Sequence, residues 1–518
     1  MTWMFRVLRQ PIIWLLAVAL AAALFIFRDF GLTWDEPLFY KYADALGYAY
    51  TPANWFGGEF DLSRSYGPSG DDHKTRGPGY LLIARLPAET LRARGLDTGS
   101  SWHLVNFGAF MLGVFFIYRL GRWFAGDMAA ALGAALFTSQ PLLWGHAFIN
   151  PKDMPFMVLF MGAIWLGVRM VDRLSDFKGA QWNRLAAGLV LPAVFLGLAS
   201  SNRVLGPLAG ILVSFYWIAR RPGWRTLVWI AIYGILACAV MFATWPYLWE
   251  NPMHFVEVFG LMAQNPTVLP VLFADSIYHA NELPLRYLPF YLGTTLTEPV
   301  WPLFALGLVG SLIATRTAGG HRPCLAILLA WLLVPLAYAF IARPPLYDGM
   351  RHILFALPPV FVICAAALEL LLRRLSRLWM WLALAFFVLA PGVAGIVILH
   401  PYEYSYFNSF VGGTGGAFRH YETEYWLTCY KESVEHFNDM VSEPIRLFVH
   451  REAAVAAPYA APHVTVLEER GSKQTIQAGD FILVNTRTNE DLRTFRDAPE
   501  ILNVGRAGAT FCIIKSVP

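Results

Sequence analysis

Residues 31–43 read GLTWDEPLFYKYA, a few positions beyond the apolar run Ile12–Phe27. Two adjacent carboxylates, Asp35 and Glu36, stand between that run and Pro37. Their meaning depends on what surrounds them. The chain has 518 residues, is 57% hydrophobic and only 15% charged, and has a mean hydropathy of +0.46. Soluble domains carry about a quarter charged residues. The apolar excess is gathered into about eleven blocks of roughly 17–25 residues, long enough to cross a bilayer core of about 30 Å. These lie near 12–28, 101–119, 127–145, 154–171, 185–200, 204–219, 226–247, 296–314, 324–342, 352–372 and 379–399. The opening stretch therefore marks where a first span leaves the membrane, and the fold class is an all-α polytopic membrane protein.

Cations give the orientation. Arg6 and Arg9, then Arg119 and Arg122, then Arg169, Arg173, Lys178 and Arg184 fall at alternate junctions. The alternation continues through Arg220, Arg221 and Arg225, through Arg316 and Arg322, and through Arg373, Arg374 and Arg377. Short loops rich in Lys and Arg face the cytoplasm. The N-terminus is then cytoplasmic and the C-terminus lies outside. Arg6 and Arg9 before an apolar run also fit a signal peptide, but the run is long and many spans follow, so an uncleaved first span is the reading adopted. The segment 286–315 is broken by Pro289, Pro299 and Pro302.

On the opposite side, residues 29–100 form a long first outer loop. Pro37–Tyr48 and Gly79–Arg94 have the pattern of amphipathic helices lying in the interface plane. Residues 249–285 form a second outer loop. From His400 the composition turns polar. Tyr421–Met440 reads as an amphipathic helix, and RLFVH (446–450), VTVL (464–467), FILVNT (481–486) and FCIIKSV (511–517) read as strands, with short helical stretches near 451–458 and 489–496. The division is a membrane part over 1–399 and a small extracytoplasmic α/β domain over 400–518. Cys429 and Cys512 both fall in that domain; a disulfide, if it is extracytoplasmic, and two free thiols both fit. The glycine-rich GGTGGAF (412–418) lacks the ending of a P-loop and reads as a flexible connection.

Each short outer junction carries ionisable residues. Asp35 and Glu36 follow the first span, Lys152 and Asp153 lie in HAFINPKDMPF (146–156), Arg203 in SSNRVLG (200–206), and Tyr347, Asp348, Arg351 and His352 in PPLYDGMRHILF (344–355). Taken singly, each fits a solvated cap or a snorkelling side chain, and NPKD and PPLYDG are turn compositions. Taken together, they put acids and arginines at one depth of the membrane, where ionisable groups mark functional pathways. A lipid-linked sugar phosphate would need this set. Arginine suits the phosphate through its planar donor fork. A carboxylate near the attacking hydroxyl serves as general base, worth roughly 10²–10⁴-fold in rate. A second carboxylate orients the acceptor or binds a divalent cation, since hard cations take oxygen ligands.

TWDEPLFY after the first span, NPKDMPF at the second outer junction and RHILFALPP opening the tenth span resemble the GT-C glycosyltransferases, in the branch of the protein O-mannosyltransferases and the lipid A aminoarabinose transferases. HPYEYSYFN (400–408) and YETEYW (421–426) are similar to bacterial members of that branch. The resemblance implies a bacterial inner-membrane enzyme that transfers sugar from a polyprenyl-phosphate donor to an envelope lipid, glycan or protein. It implies that Asp35 is the catalytic acid residue with Glu36 beside it, and that Asp153 is a second acidic position. Arg203 and Arg351 are then the candidates for the donor phosphate, with Lys152 and His352, and Tyr40, Tyr347 and Asp348 are candidates to line the cavity. HKTRGPGY (73–80) departs from the His-Pro-Pro segment that opens the second interfacial helix in many relatives. Metal use differs within the family, so no metal or other cofactor is assigned, a divalent cation remaining compatible. The small net charge of +4 and the lack of a basic stripe exclude a nucleic-acid partner. A lipid or sugar transporter is the alternative, but it would place its charges near the midplane, often in related halves. A receptor or scaffold leaves the junction charges unexplained.

Overall fold

The structure is a computed structural model that describes residues 10–68, 73–175, 182–221, 223–264, 269–317 and 321–518. Arg6, Arg9 and Lys178 lie outside the described residues. Among the described residues, five helices are long and apolar enough to cross a membrane: Thr98–Gly121, Asp153–Leu174, Trp224–Ala243, Arg322–Ala342 and Leu378–Leu399. Six shorter apolar helices accompany them, Pro11–Ile26, Asp127–Thr138, Gly188–Asn202, Pro207–Arg220, Val300–Arg316 and Pro358–Leu372. Every expected span contains one of these helices. Many carry large exposed apolar side chains, among them Phe25, Ile235, Leu378 and Val397. A helix that is apolar on its outer face as well as its inner one is solvated by lipid. The chain is a multi-pass membrane protein.

Two expected spans are interrupted. The one near 127–145 stops at Thr138 and resumes as Pro141–Ile149. Pro141 has no N–H to continue a helix, and Gln140 bonds outward instead: its Nε2 donates to Thr297 Oγ1 (2.9 Å) and its Oε1 accepts from Thr297 N (3.0 Å). The segment 286–315 divides into Tyr287–Thr294 and a helix beginning at Val300. The expected tenth span begins as a 3₁₀ turn, Arg351–Ala356, and becomes α-helical at Pro358.

The Asp153–Ser175 helix is central, packed against Thr98–Gly121, Trp182–Asn202 and Pro207–Arg220. Helices approach closely where a side chain is missing. A Cβ on Gly307 would meet Ile363 O at 2.0 Å, so the Val300–Thr317 and Pro358–Leu372 helices touch backbone to backbone there. Such contacts replace the hydrophobic drive that is absent between helices in lipid. The two amphipathic outer helices form as expected, Glu36–Leu46 and Gly79–Ala93. The second outer loop contains a helix, His254–Gln264, and an antiparallel hairpin that the sequence reading missed, β1 (Pro270–Phe273) with β2 (Ser276–His279).

The C-terminal sheet is built from β3 (Ile445–Val449), β4 (Val464–Glu468), β5 (Phe481–Asn485), β6 (Glu500–Arg506) and β7 (Ala509–Ser516), in the order β4-β3-β5-β7-β6. β3 runs parallel to β4 and β5; β7 runs antiparallel to β5 and β6. β6 was not expected, because Glu500, Asn503, Gly505 and Arg506 blur the alternation that marks a strand. Cys429 and Cys512 form a disulfide that ties the Cys429–Met440 helix to β7. The expected helix over Tyr421–Met440 starts only at Cys429. Upstream of it Glu424 Oε1 accepts the backbone N–H groups of Trp426 (3.2 Å) and Thr428 (3.1 Å), a side-chain alternative to helical bonding. GGTGGAF is not a loose connector: Gly413–Ala417 is a short helix lying against the Ala507–Gly508 turn.

Candidate active site

Four junctions that are distant in sequence meet at one end of the helix bundle. Asp35 precedes the Glu36–Leu46 helix but makes no side-chain cap bond, so its carboxylate is not consumed by the helix start. It faces Arg351 instead, with Nη1 3.2 Å from Oδ2, and its side chain is 28% exposed. Arg351 is 6% exposed and lies between two rings, 4.8 Å from the centroid of Tyr347 and 4.6 Å from that of Trp426. Rings this close shield the planar guanidinium from water while leaving its edge donors available. The same Nη1 is 3.1 Å from Asp348 Oδ2.

The NPKD turn organises a second pair. Asn150 Oδ1 accepts from the backbone N–H of Lys152 (3.2 Å) and Asp153 (2.8 Å), while its Nδ2 donates to Asp153 Oδ2 (3.0 Å). This is an asparagine turn, and it aims the other oxygen of Asp153 at Arg203, with which it forms an ion pair. Lys152 lies over the Phe39 ring (5.3 Å). Burial, followed by the charges of Arg76 and Arg203, pushes its amine well below the usual lysine range. Burial also pushes Arg203 down to about 10, with Arg351 and Arg76 adding repulsion and Tyr347 and Asp35 opposing it. His352 packs edge-on against Tyr347, and burial together with Arg351, Arg203, Lys152 and Arg76 holds it neutral. It offers an N–H to an anion rather than a charge.

The cluster therefore unites Asp35, Asp153, Lys152, Arg203, Arg351, Tyr347 and His352. Arg76, which the sequence reading passed over, joins it through its field on Lys152, Arg203 and His352. Its place comes from the departure RGPG. A Cβ on Gly77 would sit 1.7 Å from Ser201 O, so only glycine lets this loop close on the turn that bears Arg203.

Other candidates are placed elsewhere. Glu36 is fully buried and accepts from Thr33 N (2.6 Å), from the Tyr40 hydroxyl and from His103 Nε2 (3.0 Å). Tyr40 is occupied by that bond and stacks on Trp102 at 4.7 Å. These two support the Asp35 turn from behind. Asp348 is wholly buried, held between Arg351 and Arg487 Nη2, the latter at 2.7 Å. Burial raises its carboxyl pKa even against those two arginines. Its backbone and that of Gly349 are left-handed, at φ 57° and 62°, a region in which Asp is among the better-tolerated residues.

Arg487 is the larger surprise, because it comes from the C-terminal domain. It follows β5, reaches Asp348 and Glu422 Oε1 (3.2 Å), and lies 4.8 Å from the Trp34 ring. Trp34 N in turn donates to Trp426 O (3.3 Å). The sheet domain thus closes the underside of the cluster. Among the described residues, no three His, Cys, Asp or Glu side chains form a ready metal site.

No protein-family model and no curated protein matches the chain. Solved structures do. What they share with this chain is the fold. ArnT from Cupriavidus metallidurans in the apo state aligns over 97% of both chains, with 14% identity and a TM-score of 0.50. The Archaeoglobus fulgidus oligosaccharyltransferase tethered to an acceptor peptide aligns over 93% of this chain and 70% of its own, with 11% identity and a TM-score of 0.51.

Proposed function

We propose that the chain is an integral-membrane glycosyltransferase that moves a sugar from a polyprenyl-phosphate-linked donor to a hydroxyl of an envelope lipid, glycan or protein. The observation that carries the reading is the convergence of Asp35, Asp153, Lys152, Arg203 and Arg351 from four separate junctions. The reacting face is the non-cytoplasmic face of a bacterial inner membrane. The alternating cations support that side, as does the Cys429–Cys512 disulfide, which belongs to an oxidising compartment.

The chemistry follows from the pairing. In the resting site Arg351 occupies one oxygen of Asp35. A donor phosphate entering among Arg203, Arg351, Lys152 and Arg76 competes for those donors and frees Asp35. The acceptor hydroxyl attacks the anomeric carbon while its proton passes to Asp35. The bond between that carbon and the phosphate oxygen breaks, and polyprenyl phosphate departs with the added negative charge, held by the guanidinium groups. No strong general acid is required, because the leaving group is already a phosphate. Asp153 fixes Arg203, and Glu36 fixes the turn that presents Asp35.

Purified protein incubated with a panel of labelled polyprenyl-phosphate sugars and envelope acceptors tests this. Transfer by the wild-type chain, with Asp35→Asn still binding donor but turning over poorly, is the expected result. Full turnover by Asp35→Asn removes Asp35 from the mechanism.

A further inference from the structure

Two strings at the membrane border, HPYEYSYFN (400–408) and YETEYW (421–426), carry none of the reacting groups, yet they stand directly behind them. Trp426 lies 4.6 Å from Arg351, and Glu422 answers Arg487, which holds Asp348. Those contacts reach the Arg351 half of the cluster. Tyr425, between them in sequence, reaches the Arg203 half by a longer route.

The route starts at the NPKD turn. Asn150 Oδ1 accepts the backbone N–H groups of Lys152 and Asp153, so its amide nitrogen faces the other way. Both protons of that nitrogen are used. One goes to Asp153 Oδ2 (3.0 Å) and the other to His146 Nδ1 (3.2 Å). An imidazole nitrogen that accepts carries no proton, so the neutral ring keeps its proton on Nε2. Nε2 donates to the Tyr425 oxygen at 3.2 Å, and the Tyr425 hydroxyl donates in turn to Tyr404 O at 3.4 Å. Donation therefore runs outward from Asn150, to Tyr404 O on one side and to Asp153 on the other. His146 is wholly buried, and Asn150 and Tyr425 are 1% and 3% exposed, so no bulk water stands in for a missing partner.

The Tyr425 oxygen thereby locks a tautomer. Without it, Nε2–H has no acceptor in a dry place, and the ring is driven to carry its proton on Nδ1. Two donors then face each other, His146 Nδ1–H and Asn150 Nδ2–H. The amide turns or withdraws, and Asp153 loses the bond that leaves its other oxygen to Arg203. A change at one hydroxyl of the C-terminal domain ends at a guanidinium of the site.

We propose that Tyr425 and His146 are positioning residues for the donor phosphate, setting Arg203 through Asn150 and Asp153. The proposal rests on the transfer reading, in which Arg203 binds that phosphate.

The test uses the full chain in phosphatidylcholine nanodiscs. One readout is binding of labelled polyprenyl phosphate. The other is nitrogen NMR of protein carrying isotope-labelled histidine, with the His146 signals assigned by their loss in His146→Gln. The wild type should show a pyridine-like Nδ1 and a pyrrole-like Nε2 at His146, and Tyr425→Phe should exchange them. The same variant should bind polyprenyl phosphate about tenfold more weakly, the scale of one disturbed hydrogen bond to a charged group. Tyr425→Phe combined with Asn150→Ala should bind no more weakly than Asn150→Ala alone, because both act through one route. Tyr430→Phe is the control. Its hydroxyl belongs to the same domain but donates to Arg451 O (3.0 Å), off the route, and this variant should bind like the wild type. Unchanged affinity in Tyr425→Phe, additive losses in the double variant, or an equal loss in Tyr430→Phe overturns the positioning role. Nitrogen signals that do not exchange overturn the tautomer lock. If even the wild type binds no polyprenyl phosphate, the transfer reading fails, while the nitrogen signals still decide whether Tyr425 sets the tautomer.

Discussion

The two ends of the helix bundle use the same residue types to opposite effect. At one end Arg122 meets Asp127 at 3.1 Å, with side chains 38% and 56% exposed. Arg220–Asp172 (3.2 Å) and Arg373–Glu369 (2.7 Å) also involve exposed arginines there. At the other end Arg351, Asp348 and Arg487 are almost wholly removed from water. Removing an ion from water costs several kcal/mol even after relaxation, and mutual attraction does not always recover it. The exposed pairs cost the fold little, and in the proposed orientation they stand on the cytoplasmic side. The buried network is costly and is tolerated only where Asp348 and Glu422 are answered by arginines and the rings of Trp34, Tyr347 and Trp426 exclude solvent. The difference separates charges that water screens from charges held in a dry network.

The largest effect should come from Asp35. Asp35→Asn keeps the shape and removes the basic oxygen, and a transfer rate lower by about 10²–10⁴-fold is expected from the loss of a general base. Donor binding, measured separately, should persist or tighten, since Arg351 loses a competitor for the phosphate. Arg487→Met comes next. It leaves the buried Glu422 without its arginine and Asp348 with Arg351 alone, and should destabilise the protein by about 3–5 kcal/mol, read as a fall in denaturation midpoint. Adding Asp348→Asn should restore part of that loss, because it removes one of the two acids that Arg487 had answered. A double variant no better than the single one would mean that Arg487 acts through packing on Trp34.

Much of this end was legible in the sequence. Asp35, Lys152, Asp153, Arg203 and Arg351 sit at the ends of apolar runs, and topology alone brings alternate junctions to one side. What was not legible is which oxygen points where. Asp35 and Glu36 are neighbours of the same type, yet one faces the guanidinium of Arg351 and the other accepts from Tyr40 and His103. A helix start turns successive side chains by about 100°, and nothing in the string WDEP says which of the two faces the site. Arg487 was hidden for another reason. It follows an ordinary strand of a domain with no catalytic signature, and its partner Asp348 lies 139 positions earlier by their numbering. The broken span at Gln140–Pro141 was signalled by its proline, but the hydropathy of both sides masked it.

Titration offers a subtler contrast between the ends. Glu424 is buried where the C-terminal domain meets the membrane part, and burial pushes its carboxyl up to about 7, against hydrogen bonds from Tyr404, Asn485, Thr428 and Trp426. Its ordinary value is 4.5. Between those two values the folded state binds more protons than the unfolded one. Stability contributed by this group is therefore greatest in acid and is lost as pH rises from 4.5 toward 7. Glu424→Gln cannot titrate, so its denaturation midpoint should fall less than that of the wild type between pH 5 and 8, a relative gain of about 1–3 kcal/mol. Parallel pH curves for the two proteins would put the titrating charge elsewhere in the network.

The smallest effect should appear at the exposed end, and it is the control on the whole comparison. Arg122→Ala removes a cation whose partner Asp127 also accepts from the Tyr118 hydroxyl at 2.6 Å and stays half in solvent. Water and salt screen such a pair, so the expected loss is below about 1 kcal/mol and shrinks further at high ionic strength. Turnover should be unchanged, because this arginine lies at the opposite end from Asp35. Its remaining consequence is orientation: in the proposed topology this junction is cytoplasmic, one less cation weakens the bias that holds it there, and a cysteine introduced beside it should report any inverted fraction to a membrane-impermeant thiol reagent. If Arg122→Ala instead destabilised the chain as much as Arg487→Met, burial would not be what distinguishes the two ends, and the assignment of function to the buried one would lose its physical basis.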